Sequence, residues 1–475
     1  MNQQKKKVVV VGGGITGLTA AFYLNKAIRQ HQLPFELTLI EASHQLGGKI
    51  QTEYRDGFVI EKGPDSFLER KTSAKQLVHD VGLESDLVRN TADKIHILVK
   101  DQIYPMPIGA VMGIPTKLGP FLKTGLFSVQ GKVRAACDYI LPRSKKQEDQ
   151  SIGHFIRRRL GDEVAENLVE PLVSGIYIGD MDQLSLMSTF PQFYQAELEH
   201  RSLIRGLKKM SKSPTATTVT NQNQGVFLTL KSGLQSLVER IEAQLADATI
   251  LKGSAVRELN KTTNAHYELK LNYRESIRAD GVILALPHPK MVELFPDKHN
   301  IREYTQMPST TVATVVMGFK EEEIQIEDGT GFVVSRHSDY TITACTWTHK
   351  KWPHTAPKGK ALLRCYVGRN WDATVVELSD MEIAAIVLED LKRAINLSAN
   401  PDFSIVTRWT EAFPQYTVGH SQRVKEMTNK LTGEFPGVFF TGSSFGGLGL
   451  PDCIRQGKMA AEQMIDYFAR ENQKP

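Results

Sequence analysis

The chain has 475 residues, 41% of them hydrophobic and 23% charged, a composition that excludes a fibrous protein and predicts two or three globular units. Its 58 basic and 53 acidic residues leave a formal net charge of +5, a weak field that leaves an anionic substrate or an acidic lipid surface open and predicts no nucleic-acid partner. The four cysteines form no CxxC pair and the histidines no HxxxH or HExxH pattern, so we expect a reduced, cytoplasmic protein without a metal site.

The first predicted element is a strand that runs into a glycine turn. Three lysines before an uncharged run imitate a secretory signal, but Gly12, Gly14 and Gly17 form G-x-G-x-x-G directly after the strand VVVV, and LTAAFYLNKAI continues as a helix. Such glycines let the backbone approach a pyrophosphate at the positive end of the helix. A second strand, FELTLI, leads to the acid that a dinucleotide fold needs for ribose hydroxyls. The cofactor residues predicted here are Gly12, Gly13, Gly14, Ile15, Thr16, Gly17, Leu18, Glu41 and Ala42.

The following segment favours FAD over NAD as the cofactor. The stretch ASHQLGGKIQT carries a glycine pair and a basic residue, and it resembles the extended motif of amine-oxidase-like flavoproteins, which runs beside the FAD pyrophosphate. The stretch GFVIEKGPDSFLERK then predicts a strand and a turn whose backbone lines the flavin ring. No second glycine motif for NAD(P)H appears, so we expect the substrate to supply the electrons. These segments add Gly48, Lys49, Gly63, Pro64, Asp65 and Ser66 to the predicted cofactor site.

The middle of the chain, residues 86–221, is predicted to form a helical unit rich in basic residues. A long amphipathic helix is predicted to start at Ser151 and to end in a loop at Ser174, with Arg157 and its two following arginines on a solvated face. Residues 211–224 are polar and low in complexity, which predicts a flexible loop. We keep a peripheral membrane contact through this unit open.

The second half alternates between two sheets. The segment ILKGSAVRELN returns to the FAD-binding unit and places the backbone of Val256 near the adenine. Four β-rich segments between 308 and 370 predict an antiparallel sheet that covers the flavin and carries substrate, with Cys345 and Cys365 as packing residues. The predicted fold is therefore α/β, with a Rossmann-like FAD-binding domain (1–85, 222–300 and 400–475), an α+β substrate domain (301–399) and the helical domain (86–221).

The C-terminal segment GVFFTGSSFGGLGLPDCIRQGK predicts a strand, a glycine-rich loop and a helix with Pro451 in its first turn. The positive end of this helix would face the flavin. The G-x-S-x-G at 442–446 is not expected to be a hydrolase elbow, because the helix does not begin directly after Ser444. Cys453 is interpreted as a small helix residue rather than a flavin attachment point, so the FAD is predicted to be non-covalent.

Taken together, VGGGITGLTAAF, EASHQLGGKIQT, GFVIEKGPDSFLERK, LSLMSTFPQF and GLGLPDCIRQGK resemble the FAD-dependent protoporphyrinogen/coproporphyrinogen oxidases of haem biosynthesis, and most closely the Gram-positive-type coproporphyrinogen III oxidases. The resemblance runs over nearly the whole chain. It implies oxidation of coproporphyrinogen III to coproporphyrin III, and of protoporphyrinogen IX to protoporphyrin IX, by hydride transfer to flavin N5, with molecular oxygen reduced to hydrogen peroxide. No acid–base pair is needed, since the pyrrole N–H proton can leave to water or to a peptide carbonyl.

The resemblance also implies roles for single residues. Propionates need cations, for which Lys71 is the first candidate and Arg70 the second, while Ile176 is a candidate apolar wall for the macrocycle. Haem-pathway enzymes and the inner face of the cell membrane are candidate partners. Besides residues already named, the resemblance assigns to the FAD site Trp409, Leu448, Gly449 and Leu450.

Two other interpretations of the chain's function stay open. A flavin amine oxidase shares the glycine motif, the acid and the glycine pair, but it does not account for GPDSF or LSLMSTFPQF. A prenyl-binding chaperone of the GDP-dissociation-inhibitor type has the same fold without redox activity, and it would purify colourless rather than yellow.

Overall fold

The fold is given by a computed structural model that describes residues 5–92, 94–144, 149–210, 225–262, 266–272, 275–295 and 307–471. The predicted flexible loop 211–224 lies outside these ranges, as do the first residues of the predicted 301–399 domain. Within them, no helix is both long and apolar enough to cross a bilayer, and no three His, Cys, Asp or Glu side chains are grouped to hold a metal ion.

The strands fall into one parallel sheet, one large mixed sheet and several small sheets. In chain order they are β1 Lys6–Val11, β2 Phe35–Ile40, β3 Thr52–Arg55, β4 Phe58–Glu61, β5 Phe67–Leu68, β6 Leu87–Arg89, β7 Ile95–Val99, β8 Gln102–Pro105, β9 Ala110–Val111, β10 Ile114–Pro115, β11 Phe227–Leu230, β12 Thr249–Leu251, β13 Val256–Lys261, β14 Tyr267–Leu271, β15 Ser276–Ala279, β16 Gly281–Leu284, β17 Ser309–Lys320, β18 Gly331–Val334, β19 Ile342–Trp347, β20 Lys360–Val367, β21 Phe403–Pro414 and β22 Val438–Phe440.

The helices cover the parallel sheet, form the middle of the chain and close the C-terminus. They are α1 Ile15–His31, α2 Thr72–Asp80, α3 Leu118–Lys123, α4 Val129–Ala136, α5 Ile152–Leu160, α6 Asp162–Val164, α7 Glu170–Tyr177, α8 Leu186–Thr189, α9 Pro191–His200, α10 Leu203–Met210, α11 Gln235–Ala243, α12 His288–Glu293, α13 Thr348–Lys351, α14 Asp380–Ile395, α15 His420–Glu434, α16 Ser443–Gly446 and α17 Leu450–Glu471.

The parallel sheet has the strand order β12-β2-β1-β16-β22 and forms the centre of the nucleotide-binding part. Its strands are almost uniformly apolar because both faces are covered, by α1 and α17 on one side and by the sheet β13-β14-β15 on the other. Helices α1 and α17 approach closely at Gly457, where an added Cβ would lie 2.2 Å from the Thr16 carbonyl oxygen. The predicted order of strand, glycine turn and helix is confirmed.

The large sheet has the order β21-β17-β20-β19-β18-β7-β8, and every pair is antiparallel except β18 with β7. All four segments predicted as strands between 308 and 370 belong to it. It also includes β7 and β8 from the 86–221 segment and β21 from the 400–475 segment. The division of the chain into three domains stays a prediction.

The middle of the chain corrects two sequence interpretations. The Ser151 hydroxyl does accept a hydrogen bond from the His154 N–H and begins a helix, but Gly161, with φ +90°, ends it, and α7 runs through Ser174 instead of stopping there. The predicted solvated arginine face is also wrong at Arg159, which is fully buried and pairs with Asp138 at 2.5 Å. Glu197, also fully buried, lies 3.4 Å from the same guanidinium, so the cost of burying the charge is offset by paired carboxylates.

Candidate FAD and substrate site

The glycine turn after β1 leaves room for a pyrophosphate at the start of α1. Gly12 has φ +104°, and a Cβ on Gly17 would lie 1.8 Å from the Gly12 carbonyl oxygen, so both positions need glycine. Gly14 caps the helix without a side chain, and nothing lies within 4 Å of where its Cβ would be. The second glycine pair is adjacent, since Gly47 N–H donates to the Gly13 carbonyl at 2.8 Å. Free N–H groups and open space therefore coincide at this helix end.

Glu41 lies directly after β2 and beside the same turn. Its Oε2 accepts a hydrogen bond from the Gly13 N–H at 2.6 Å and its Oε1 accepts one from the Ser43 N–H at 2.8 Å. The segment before Val256 is tied to it, because the Ser254 N–H donates to the Glu41 carbonyl at 2.9 Å. Ala42 is exposed next to it. The carboxylate is thus held at the edge of the glycine turn, where the sequence predicted a ribose contact.

The turn formed by residues 63–66 packs on the loop that follows the second glycine pair. A Cβ on Gly63 would lie 1.7 Å from the Lys49 carbonyl oxygen, so these two backbones touch. The Lys49 ammonium donates to the Ala412 carbonyl and lies 5.3 Å from the centre of the Phe413 ring. Burial lowers the pKa of Lys49. Lys49 therefore joins the loop after the second glycine pair to β21, and a contact with phosphate stays a prediction.

The large sheet holds the 63–66 turn from the other side. The Lys62 carbonyl accepts hydrogen bonds from the Thr314 hydroxyl at 2.8 Å and from Trp409 Nε1 at 3.3 Å. Trp409, assigned to the FAD site by resemblance alone, is thereby placed against the turn that was predicted to face the flavin. β17 and β21 pair in register at Val312 and Trp409, which positions both donors.

Two cations at this turn were not predicted from the sequence. Lys351 lies 2.8 Å from Asp65 Oδ2, and Trp352 Nε1 donates to the same oxygen at 3.2 Å. Arg364, on β20, donates to the Gly63 carbonyl. Burial opposes ionisation of Asp65, but Lys351 and Arg364 together hold its pKa well below its usual range. The available signal was an arginine inside the otherwise apolar strand ALLRCYV.

The predicted substrate cation Lys71 lies next to the C-terminal glycine loop. Its Nζ is 2.5 Å from Asp452 Oδ2 in the first turn of α17, which begins at Leu450 directly after Leu448 and Gly449. Ser73 strengthens this junction by donating to the Pro451 carbonyl at 2.5 Å. Arg70 is exposed at the same end of α2. The structure therefore brings Lys71 to the end of the helix that was predicted to face the flavin.

Ile176 lies on the helix that packs against β18 and β19 of the large sheet. It lies on α7 and is 54% exposed, although its neighbour Gly175 packs near Val333 of β18. Two residues later Ile178 has φ +51°, a strained conformation for a β-branched residue. Gln415 holds this backbone by donating to the Tyr177 carbonyl at 3.2 Å. An exposed apolar side chain on a fixed backbone is consistent with a wall for an apolar ligand.

Ser444 and Cys453 in the C-terminal segment are both buried, which bears on two interpretations that the sequence analysis rejected, a hydrolase elbow and a covalent flavin link. Ser444 is 1% exposed, and although it lies 3.1 Å from His288 Nδ1, the other ring nitrogen of His288 faces the Met307 carbonyl at 2.8 Å instead of a carboxylate. This is not the geometry of a hydrolase triad. Burial raises the pKa of the Cys453 thiol to about 11, as expected for a packed helix residue.

A family model, flavin containing amine oxidoreductase, matches residues 15–465. The chain belongs to this family. The predicted flavin cofactor, FAD, and the predicted family resemblance are confirmed, and the open glycine turn with its adjacent acid fits the cofactor's pyrophosphate and ribose.

Curated relatives cover the chain from end to end. The coproporphyrinogen III oxidase of Bacillus subtilis (strain 168) is 55% identical over 469 residues, which is 98% of this chain and 100% of that protein. The coproporphyrinogen III oxidase of Staphylococcus aureus is 42% identical over 466 residues, 97% of this chain and 99% of its own length. The protoporphyrinogen oxidase of Bos taurus is 26% identical over 483 residues, 97% and 98% of the two chains.

Solved structures confirm the predicted fold class. A crystal structure from Exiguobacterium sp. 255-15 has a TM-score of 0.87 and 39% identity, and covers 97% of this chain and 98% of that one. Reduced UDP-galactopyranose mutase (TM-score 0.72, 13% identity, 97% and 96% of the two chains) and cyclohexylamine oxidase from Brevibacterium oxydans (TM-score 0.71, 16% identity, 98% and 100%) share the fold.

Proposed function

We propose that this chain oxidises coproporphyrinogen III to coproporphyrin III, with molecular oxygen as the final acceptor and hydrogen peroxide as its product, in haem biosynthesis. Protoporphyrinogen IX is the second substrate. The observation that carries the proposal is the 55% identity over the full length of the coproporphyrinogen III oxidase of Bacillus subtilis. The placement of Lys71 beside the predicted flavin-facing helix end is consistent with it.

In this proposal the chain binds and orients two ligands. Residues 12–18 and Glu41 hold the pyrophosphate and ribose of a non-covalent FAD, and the 63–66 turn and residues 448–450 hold its ring. Bound there, FAD would supply the hydride acceptor for a bridging C–H group of the porphyrinogen, a bond that the flanking pyrroles weaken. The remaining proton leaves a pyrrole N–H for water or a peptide carbonyl. Positioning therefore contributes more than acid–base catalysis.

The substrate contacts follow from charge and burial. Lys71 binds a propionate, exchanging its contact with Asp452 for a contact with substrate. Arg70 is the second cation of that end, and Ile176 packs against one face of the macrocycle. A lysine gives a less directional contact with a carboxylate than an arginine does. We therefore expect Lys71 to set the affinity for substrate more than its orientation.

The test is porphyrin fluorescence from the purified yellow protein in air, given coproporphyrinogen III or protoporphyrinogen IX, beside boiled controls. A faster rise with coproporphyrinogen III, matched by peroxide, supports the proposal. A faster rise with protoporphyrinogen IX retains the reaction and changes the preferred substrate. No rise above the boiled control, together with oxidation of an amine, favours the flavin amine oxidase alternative.

A second proposal concerns the membrane: we infer that the helical part touches an anionic membrane surface from the cytoplasmic side. Val129, Val133 and Ile140 are each more than 60% exposed and follow one another along α4 and its continuation, a spacing that gives one apolar stripe. A cavity of about 440 Å³ is lined by Arg143, Glu199, His200, Arg205, Lys208 and Lys209, and the Arg205 guanidinium lies 4.9 Å from the ring of Tyr139, next to Ile140. An apolar stripe beside clustered cations is the pattern of an interfacial helix.

Vesicle sedimentation tests this contact. With vesicles rich in anionic phosphatidylglycerol, the wild-type chain should sediment, and Val133→Glu should reduce the bound fraction several-fold. Met381→Glu is the matched control. Met381 is 83% exposed on α14, and α14 lies on the opposite side of the large sheet. Equal binding by both variants, or no binding by wild type, contradicts the proposal. A complex with other haem-pathway enzymes at this surface stays a prediction.

A further inference from the structure

Four charged side chains converge behind the 63–66 turn from separate elements. Glu61 ends β4, Asp65 lies in the turn itself, Lys351 ends α13, and Arg364 lies in the middle of β20. The turn's backbone is predicted to line the flavin, so any charge left unbalanced in this group acts on the cofactor at short range and through a low-dielectric interior.

One cation and one acid of the group balance each other. Lys351 Nζ lies 2.8 Å from Asp65 Oδ2, and the Ser66 hydroxyl donates to Asp65 Oδ1 at 2.8 Å. The low pKa of Asp65, held down by Lys351 and Arg364 despite burial, keeps its carboxylate ionised. This pair fixes the shape of the turn and adds no net charge.

Arg364 is not balanced in this way. The side chain is 4% exposed and its guanidinium donates one hydrogen bond, to the Gly63 carbonyl. Its Nε and Nη1 are buried without a hydrogen-bond partner, and among the described residues no carboxylate oxygen lies within 4.0 Å of it. The centre of the Tyr366 ring lies 4.9 Å from the guanidinium carbon. A buried cation without a paired carboxylate destabilises a fold, and such groups are characteristic of functional sites.

The fourth member, Glu61, offsets Arg364 only in part. Its carboxylate accepts hydrogen bonds from the Leu234 N–H at 2.6 Å and the Thr52 hydroxyl at 3.0 Å, and it makes none with Arg364. Burial raises the pKa of Glu61 to about 7, so near neutral pH a large fraction of it carries no charge. The group as a whole is therefore positive at pH 7 and below.

We propose that Arg364 is a positioning and electrostatic residue for the cofactor: it holds the Gly63 carbonyl in place and raises the reduction potential of the bound FAD by its buried positive charge. The hydride taken from the substrate brings two electrons and one proton, so it adds one negative charge to the cofactor site. A cation fixed behind the turn stabilises that charge without any rearrangement. The inference rests on the proposed function, because it places the flavin against this turn.

The test measures the FAD reduction potential by anaerobic titration against a reference dye, without porphyrinogen. In Arg364→Met the ratio of reduced to oxidised FAD at a fixed potential should fall about tenfold, which is about 30 mV for a two-electron couple. Arg364→Lys keeps the charge and should stay within about threefold of wild type. Lys360→Met removes an exposed cation of the same strand, paired with Asp402 at 2.7 Å, and should leave the potential unchanged.

A second variant should shift the reduction potential in the opposite direction, which keeps the inference testable if Arg364→Met does not retain FAD. Glu61→Gln removes a carboxylate from the group and should raise the reduced fraction at pH 8, where that carboxyl is ionised. A wild-type ratio in Arg364→Met, or an unchanged or lowered ratio in Glu61→Gln, overturns the inference. If the wild-type chain retained FAD and gave a normal titration but oxidised no porphyrinogen, only the proposed substrate would fail, since this measurement uses none.

Discussion

The two faces of the large sheet differ in what they contact and therefore in what they do. One face carries Val315, Met317, Leu363 and Cys365, all buried against α14, whose start is fixed by a capping box between Ser379 and Glu382. The opposite face carries polar residues in the same strands, with Thr314 beside Tyr366 and Thr346 beside Arg364 across the pairs. The apolar face stabilises the unit. The polar face holds the 63–66 turn, which is predicted to line the flavin, and it carries Arg364.

The glycine turn shows the largest expected effect, because one residue there should couple stability to cofactor binding. Gly17→Ala places a methyl group 1.8 Å from the Gly12 carbonyl, so we expect a loss of more than about 4 kcal/mol in the free energy of unfolding and no retained FAD. Gly14→Ala meets no atom within 4 Å in the protein, so the apoprotein should keep its stability within about 1 kcal/mol and lose FAD affinity instead. The measurements are the melting temperature of each variant's apoprotein and the flavin content of each purified variant. Equal melting temperatures for the two variants contradict this account of the turn.

The apolar face of the large sheet should affect stability alone. Leu363→Ala removes a fully buried side chain and should cost about 2–5 kcal/mol in the free energy of unfolding, measured by denaturant titration. The FAD reduction potential of the variant should match wild type, unlike that of Arg364→Met one residue along. A potential shifted as far as in Arg364→Met would show that the two faces are not separate in function.

Glu170, at the start of α7, should make stability depend on pH. It is 1% exposed, and burial raises its pKa to about 7 even though the positive charges of Arg369 and Arg336 oppose the shift. A carboxyl with a raised folded-state pKa contributes fully below its unfolded pKa, and that contribution is lost as pH rises through 7. Glu170→Gln should therefore be more stable than wild type at pH 8, by up to about 3 kcal/mol, with the difference vanishing below about pH 4. A difference that is constant across this range contradicts the assignment.

Substitution of Lys71 should give the smallest free-energy change of this series. The change should appear in substrate binding and not in the stability of the fold. A charge-assisted hydrogen bond is worth about 1.5–3 kcal/mol, so Lys71→Met should raise the KM for coproporphyrinogen III about 10- to 150-fold, with little change in melting temperature. Lys75→Met, which changes an exposed lysine in the helix that begins directly after Lys71, is the control and should keep the wild-type KM. If both variants raise KM equally, the effect is one of general charge and not of a propionate contact.

The contrast between local and long-range information explains what the sequence could predict. The glycine turn, Glu41 and the C-terminal helix with Pro451 were predictable because each depends on a short motif whose spacing fixes its geometry. Arg364 meets Gly63 across 301 residues, and only the register of β17, β20 and β19 decides which side chains share that face. The buried Arg159 was misinterpreted for the same reason, because its partners Asp138 and Glu197 come from the segment after α4 and from α9. The break at Gly161, in contrast, could have been read from the glycine itself.

The most direct test of the central claim is anaerobic mixing of the yellow protein with coproporphyrinogen III while the flavin absorbance is followed. We predict that the absorbance bleaches as porphyrin fluorescence appears, and that admitting oxygen restores the yellow colour and yields peroxide. An absorbance that persists with coproporphyrinogen III and with protoporphyrinogen IX, yet bleaches with an amine, would contradict it.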